Sequence, residues 1–183
     1  MGDPRRVAVL ISGRGSNMRA LIEGADGYEV VLVASNKVQA PGLDVARSLG
    51  VPTFAFEAKR EVFEAALERS LDDRRVGSIA LAGYMRVLSP AFIGRWRGQI
   101  VNIHPSLLPR HKGLDTHSRV LADGDAITGC TVHVVSEKLD SGDVLAQAEV
   151  PVEPGDDSAR LAARVLSAEH ALYPKALSEF VRR

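Results

Sequence analysis

The chain has 183 residues, of which 45% are apolar, enough for one domain with a sizeable core. Lysine plus arginine and aspartate plus glutamate both number 23, so no net positive field favours nucleic acid or an anionic membrane. The single cysteine, Cys130, cannot close an internal disulfide, which suits a reducing compartment and makes the cytoplasm the expected location.

After MGDPRR the apolar run VAVLI stops at Ser12, too short for a signal-peptide core, and no run of about 18 apolar residues exists to span a bilayer. A Gly2 myristoylation signal would require Ser or Thr at position 6, where Arg6 stands. The first strand is expected over RVAVLIS (6–12), followed by a helix from Ser16 to Glu23. EVVLVAS (29–35), a helix from Pro41 to Leu49, VPTFAF (51–56) and a helix from Arg60 to Asp73 continue the alternation. In the last helix Phe63, Leu67 and Leu71 recur at i, i+4 and i+8. SIALAG (78–83) and QIVNIH (99–104) complete a set of short strands apolar on both faces, as parallel strands covered by helices are. TGCTVHVV (128–135) and DVLAQAEVPV (143–152) flank the short connection EKLDSG, which implies antiparallel neighbours. A closing helix from Asp156 to Val181 begins at the capping cluster GDDS and is expected to bend or divide at Pro174. The fold class is therefore α/β: a mostly parallel twisted sheet with an antiparallel C-terminal part and helices on both faces.

Three segments carry chemistry. SGRGSNMRAL follows the first strand, and a glycine turn opening a helix offers free N–H groups and a positive dipole end to an anion. Met18 stands where a dinucleotide fingerprint needs glycine, and no acidic residue follows the second strand, so a monophosphate on the amides of Gly15, Ser16 and Asn17 is the better reading; a plain tight turn is the alternative. LAGYMRVLSP (81–90) ends a parallel strand where open α/β sheets bind ligands, although Tyr84, Met85, Val87 and Leu88 could equally be a patch packing inward. In IVNIHPSLLP (100–109), strand alternation puts Asn102 and His104 on one face and Val101 and Ile103 on the other, and Pro105 favours an extended backbone at His104. In VHVVSEKLDSGD, His133 lies opposite Val132 and Val134 in facing, and Asp140 occupies a turn, where aspartate is often only a turn former. His104, His111, His117, His133 and His170 make no metal-ligand signature, so no metal is expected.

SGRGSN, LAGYMRVLSPAF, NIHPSLLPRHKGLDTH, GCTVHVVSEKLDSGDVLAQAEVPV and AEHALYP occur in that order over nearly the whole chain, and so arranged the sequence closely resembles the folate-dependent glycinamide ribonucleotide formyltransferases of purine synthesis. The resemblance implies one Rossmann-like catalytic domain over 1–183, without the added domains of methionyl-tRNA formyltransferases or formyltetrahydrofolate hydrolases. Its N-terminal half would serve phosphate and ribonucleotide, and its C-terminal half folate. It implies 10-formyltetrahydrofolate as co-substrate, glycinamide ribonucleotide as acceptor, and a monomer or homodimer.

By the same resemblance Asn102, His104 and Asp140 are catalytic, the first two donating to a developing oxyanion and Asp140 favouring the charged form of His104 and orienting a proton-relaying water. Gly15, Ser16, Asn17, Pro105 and Glu169 would meet the ribonucleotide. Met85, Arg86, Val87 and Leu88 would grip the pteridine, Asn102 would face it, and Ser136, Glu137, Lys138, Leu139 and Asp140 would form the opposite wall, with Arg60 near the folate's glutamate tail. Arg14, His111, Asp115 and Leu166 depart from forms associated with the family. The loop from Arg110 to Leu121 is a lid candidate. A formyltetrahydrofolate hydrolase, which would have no use for a phosphate turn, and a non-catalytic nucleotide-binding module are the alternatives.

Overall fold

A computed structural model describes residues 2–183. Among these residues there are seven strands: β1 (Asp3–Ile11), β2 (Glu29–Ser35), β3 (Thr53–Ala55), β4 (Val76–Leu81), β5 (Ile100–His104), β6 (Ile127–Val134) and β7 (Val144–Pro151). They form one sheet in the order β3-β2-β1-β4-β5-β6-β7. The pairs from β3 to β5 are parallel, and β5–β6 and β6–β7 are antiparallel. The mixed, mostly parallel sheet is the one the sequence predicts.

Alternation along each central strand divides the core in two. Val7, Val9 and Ile11 of β1 join Val101 and Ile103 of β5 in a cluster with the helices α1 (Ser16–Glu23), α2 (Gly42–Ser48) and α6 (Ser158–Val181). Ala8 and Leu10 face the other way, with Ile79 and Leu81, onto α3 (Arg60–Asp73) and α4 (Pro90–Arg95). Most of the large side chains at these positions are fully buried, each contributing about 1.5–3 kcal/mol against exposure. Because β1 runs through α1 to β2 on one side and β4 lies on its other side, the chain reverses direction across the sheet between β1 and β4. Open α/β sheets bind ligands outside the carboxyl ends of the strands at such a point.

Two helices escape the sequence reading. α4 is only six residues long, yet its start is signalled by Ser89, whose Oγ accepts from Phe92 N, with Pro90 as the first helical residue. α5 (Thr116–Ala122) takes over the end of the Arg110–Leu121 segment read as loop; its cap residue Asp115 is left-handed at φ 56° and makes no side-chain capping bond, so no ordinary start signal is present. The closing helix α6 is not divided at Pro174. Proline forfeits one backbone bond, but Leu161, Val165, Tyr173, Leu177 and Val181 bury one continuous stripe on both sides of it. Tyr173, fully buried, donates to Leu81 O (3.0 Å) or Val101 O (3.2 Å), tying α6 to β4 and β5.

Candidate active site

The turn after β1 is shaped for close approach. Gly15 has φ 76°, and a Cβ there would lie 2.8 Å from Met18 Cε and 3.1 Å from Gly42 Cα. It precedes α1, whose first turn has no side-chain cap and no acidic residue, leaving its N–H groups free for an anion. Gly42 N donates to Gly13 O at 3.0 Å, fixing the turn against α2. Since the backbone at residue 15 is left-handed, Gly15→Ala should cost about 1–2 kcal/mol of stability. If the turn holds phosphate, the same variant raises KM for a phosphorylated substrate and leaves folate affinity unchanged; equal damage to both substrates in a folded protein makes the turn structural.

Asn17 and Glu169, from opposite halves of the chain, meet at this turn: Asn17 Nδ2 donates to Glu169 Oε2 at 2.7 Å. Asn17 Oδ1 is buried without a partner, and Glu169 is 6% exposed. Burial pushes the Glu169 carboxyl above its ordinary range, the Asn17 bond opposing. A carboxyl whose folded pKa is raised destabilises the fold as pH rises from its unfolded value through the raised one. Glu169→Gln should therefore raise Tm at neutral pH, with the gain vanishing below the usual glutamate range. A Tm difference independent of pH would contradict the ionised, desolvated carboxylate.

Ser12 links the turn to the next segment. Its Oγ donates to Asn36 Oδ1 (2.6 Å) and accepts from Met85 N (2.9 Å). Ser89 N and Oγ both donate to the buried Glu64 carboxylate, so the stretch 85–88 is held at each end. The structure splits the apolar patch: Leu88 is buried, Tyr84 packs against the α3 side, and Met85 and Val87 are each 67% exposed. Arg86 donates to Ala58 O (3.0 Å), bringing the start of α3 alongside; Arg60 there pairs with Glu61.

At the end of β5, Asn102 and His104 share a face, opposite Val101 and Ile103. The β5–β6 register sets Asn102 against His133, and Asn102 Nδ2 lies 3.2 Å from His133 Nε2. His133 Nδ1 faces Val134 O at 3.0 Å, and burial pushes this histidine's pKa down, against the Val134 bond and the Asp140 charge. A neutral ring donating from Nδ1 accepts at Nε2, which fixes the Asn102 amide. His104 Nε2 faces His111 O at 3.0 Å, and Nδ1 lies 3.5 Å from Asp140 Oδ2. The His104 and Asp140 side chains are each 7% exposed. Asp140 is left-handed (φ 46°), and its Oδ2 accepts from Gly113 N at 2.8 Å.

His133 and His111 therefore touch the predicted pair, although neither was expected to serve it. The facing of His133 is readable in β6, but its pairing with Asn102 depends on register. His117 adds a third neighbour: its Nδ1 is buried without a partner, and burial followed by the His104 charge lowers its pKa.

The segment Ser136–Asp140, expected as a wall of the site, turns through local bonds, Ser136 Oγ to Lys138 O and Ser141 Oγ to Leu139 O, with Leu139 60% exposed and Glu137 3.8 Å from Arg97. Lys112 Nζ donates to Ser141 Oγ at 2.6 Å, so the segment before α5 is pinned to this wall. Among the described residues no three His, Cys, Asp or Glu side chains are grouped to hold a metal ion, and no helix is long and apolar enough to cross a membrane. Burial raises the Cys130 thiol to about 12, which leaves it unreactive.

Fold and site together define a Rossmann-like α/β protein with amide and imidazole groups, a buried histidine–carboxylate contact and a glycine turn opening a helix at the carboxyl edge of its sheet. The sequence model of the formyl transferase family matches residues 5–177, and the chain belongs to that family. Within it, the phosphoribosylglycinamide formyltransferase of Escherichia coli is 42% identical over 95% of this chain and 86% of its own length. The crystal structure of the phosphoribosylglycinamide formyltransferase from Brucella melitensis superposes with a TM-score of 0.92 at 50% identity, covering 97% of this chain and 96% of that one. The trifunctional purine biosynthetic protein adenosine-3 of Drosophila melanogaster is 48% identical over 97% of this chain, which spans only 14% of that longer protein.

Proposed function

We propose that this chain transfers the formyl group of 10-formyltetrahydrofolate to the amine of phosphoribosylglycinamide, giving formylated ribonucleotide and tetrahydrofolate in purine biosynthesis. The observation that carries the reading is the buried His104–Asp140 contact beside Asn102, in a chain 42% identical to the Escherichia coli enzyme of that name. The amine attacks the formyl carbon, the carbonyl electrons move to oxygen, and a tetrahedral oxyanion forms. Asn102 and His104 donate to that oxyanion, where preorganised donors are worth most. With His104 Nε2 turned to the His111 carbonyl, Nδ1 is the nitrogen left for this work.

Collapse of the intermediate breaks the bond from the formyl carbon to N10. The proton released by the amine reaches N10 through a water beside Asp140, so charge and protons balance. Gly15, Ser16 and Asn17 hold the phosphate, while Pro105 and Glu169 meet the rest of the ribonucleotide. Met85–Leu88, Asn102 and the 136–140 wall hold the pteridine, and Arg60 lies toward the glutamate tail. Both substrates are small molecules, and the cytoplasm is where the reading places the enzyme, as a monomer or homodimer; no nucleic acid or membrane partner is implied.

Folate release followed spectroscopically, with and without phosphoribosylglycinamide, tests this reading. Turnover only with the ribonucleotide supports it. Turnover without ribonucleotide makes the protein a hydrolase, and binding without turnover makes it a nucleotide-binding module.

A further inference from the structure

We propose that His111, Asp125 and Arg110 form a positioning clamp for His104, fixing its tautomer so that Nδ1 serves the reaction. The inference rests on the proposed role of His104 in formyl transfer.

The His111 side chain is 7% exposed, and its Nε2 lies 2.7 Å from Asp125 Oδ2. The other Asp125 oxygen accepts from the Arg110 guanidinium, and Asp123 Oδ2 lies 3.8 Å from His111 Nδ1. His111 has a backbone φ of 51°. A side-chain-bearing residue in that region is strained and persists where surrounding contacts hold it. Here the ring is held by Asp125, whose carboxyl the His111 bond keeps below its ordinary range, with burial opposing and Arg110 adding to the shift.

The consequence lies on the other side of the same residue. The His111 carbonyl is turned to His104 Nε2 at 3.0 Å, with Ser106 Oγ donating to Arg110 O at 2.7 Å beside it. A carbonyl only accepts, so Nε2 carries a proton whatever the charge of the ring. Nδ1 is then the position that gains or loses one, and it is the nitrogen 3.5 Å from Asp140. The clamp thus reaches the reacting group through one peptide carbonyl and touches no substrate.

The experiment uses the full chain labelled with 15N-histidine, the His104 signals being those missing from His104→Ala. In buffer made alkaline enough to give the neutral ring, wild-type His104 should show a protonated Nε2 and an unprotonated Nδ1. Asp125→Ala should mix the two tautomers and lower kcat about tenfold, in the range that outer partners of a functional histidine cost, with KM for both substrates unchanged. Asp125→Asn, which keeps an acceptor oxygen, should restore most of both readouts. A wild-type ring protonated on Nδ1 overturns the proposal even if every variant misfolds. So does Asp125→Ala with an unchanged tautomer, or a tautomer change that kcat does not follow. Retained turnover in His104→Ala would instead overturn the reading on which the clamp rests.

Discussion

Asp140→Asn should lower kcat by about 10² to 10⁴ while leaving KM for the ribonucleotide and the melting temperature nearly unchanged. The substitution is nearly isosteric. Asparagine tolerates the left-handed backbone that Asp140 adopts at φ 46°, and its amide oxygen can keep the bond from Gly113 N. What is lost is the negative charge 3.5 Å from His104 Nδ1 and 3.8 Å from His133 Nε2. With the amide oxygen in the place of Oδ2, the NH2 group takes the place of Oδ1 beside His133 Nε2, and His104 Nδ1 faces a neutral acceptor instead of a carboxylate. The oxyanion then loses a charged donor, and the proton relay loses its acceptor. A kcat near wild type across the pH range would leave Asp140 as a turn residue.

Much of this architecture is legible in the sequence because one physical signal dominates it. Strands such as EVVLVAS, buried on both faces, read as apolar runs, and β2 and α3 have the bounds expected of them. Strand alternation is equally local, so the common facing of Asn102 and His104 follows from their spacing alone. Contacts set by register are not local. Asn102 meets His133 through antiparallel pairing across a long connection, and no pattern within either strand specifies which residues face each other. The His111 carbonyl is harder still to foresee, since its direction comes from a positive φ held by a hydrogen bond between the His111 ring and Asp125. Likewise β1 begins earlier than its apolar run because Asp3 pairs with Val76, a backbone ladder that demands no buried side chain. Ser12, read only as the end of a strand, joins Asn36 to Met85.

Replacing Asn102 and His104 by alanine, singly and together, should give strongly non-additive losses. Each single variant should lower kcat by about 10² to 10³, the usual loss when one donor is removed from an oxyanion site, or roughly 3 to 4 kcal/mol of transition-state stabilisation. The two side chains leave the same face of β5, and each is held by a separate partner, Asn102 by His133 and His104 by the His111 carbonyl. Removing one therefore leaves the other in place but deprives the oxyanion of half its donors. Once the first is gone, the second has less developing charge to stabilise, so the double variant should fall far short of the product of the singles. Folate affinity should survive in His104→Ala and fall far less than kcat where Asn102, which also meets the pteridine, is removed, because Met85–Leu88 is anchored independently through Ser12 and Glu64. Losses that multiply fully would assign the two residues to separate steps, and turnover unimpaired in His104→Ala would remove the mechanism altogether.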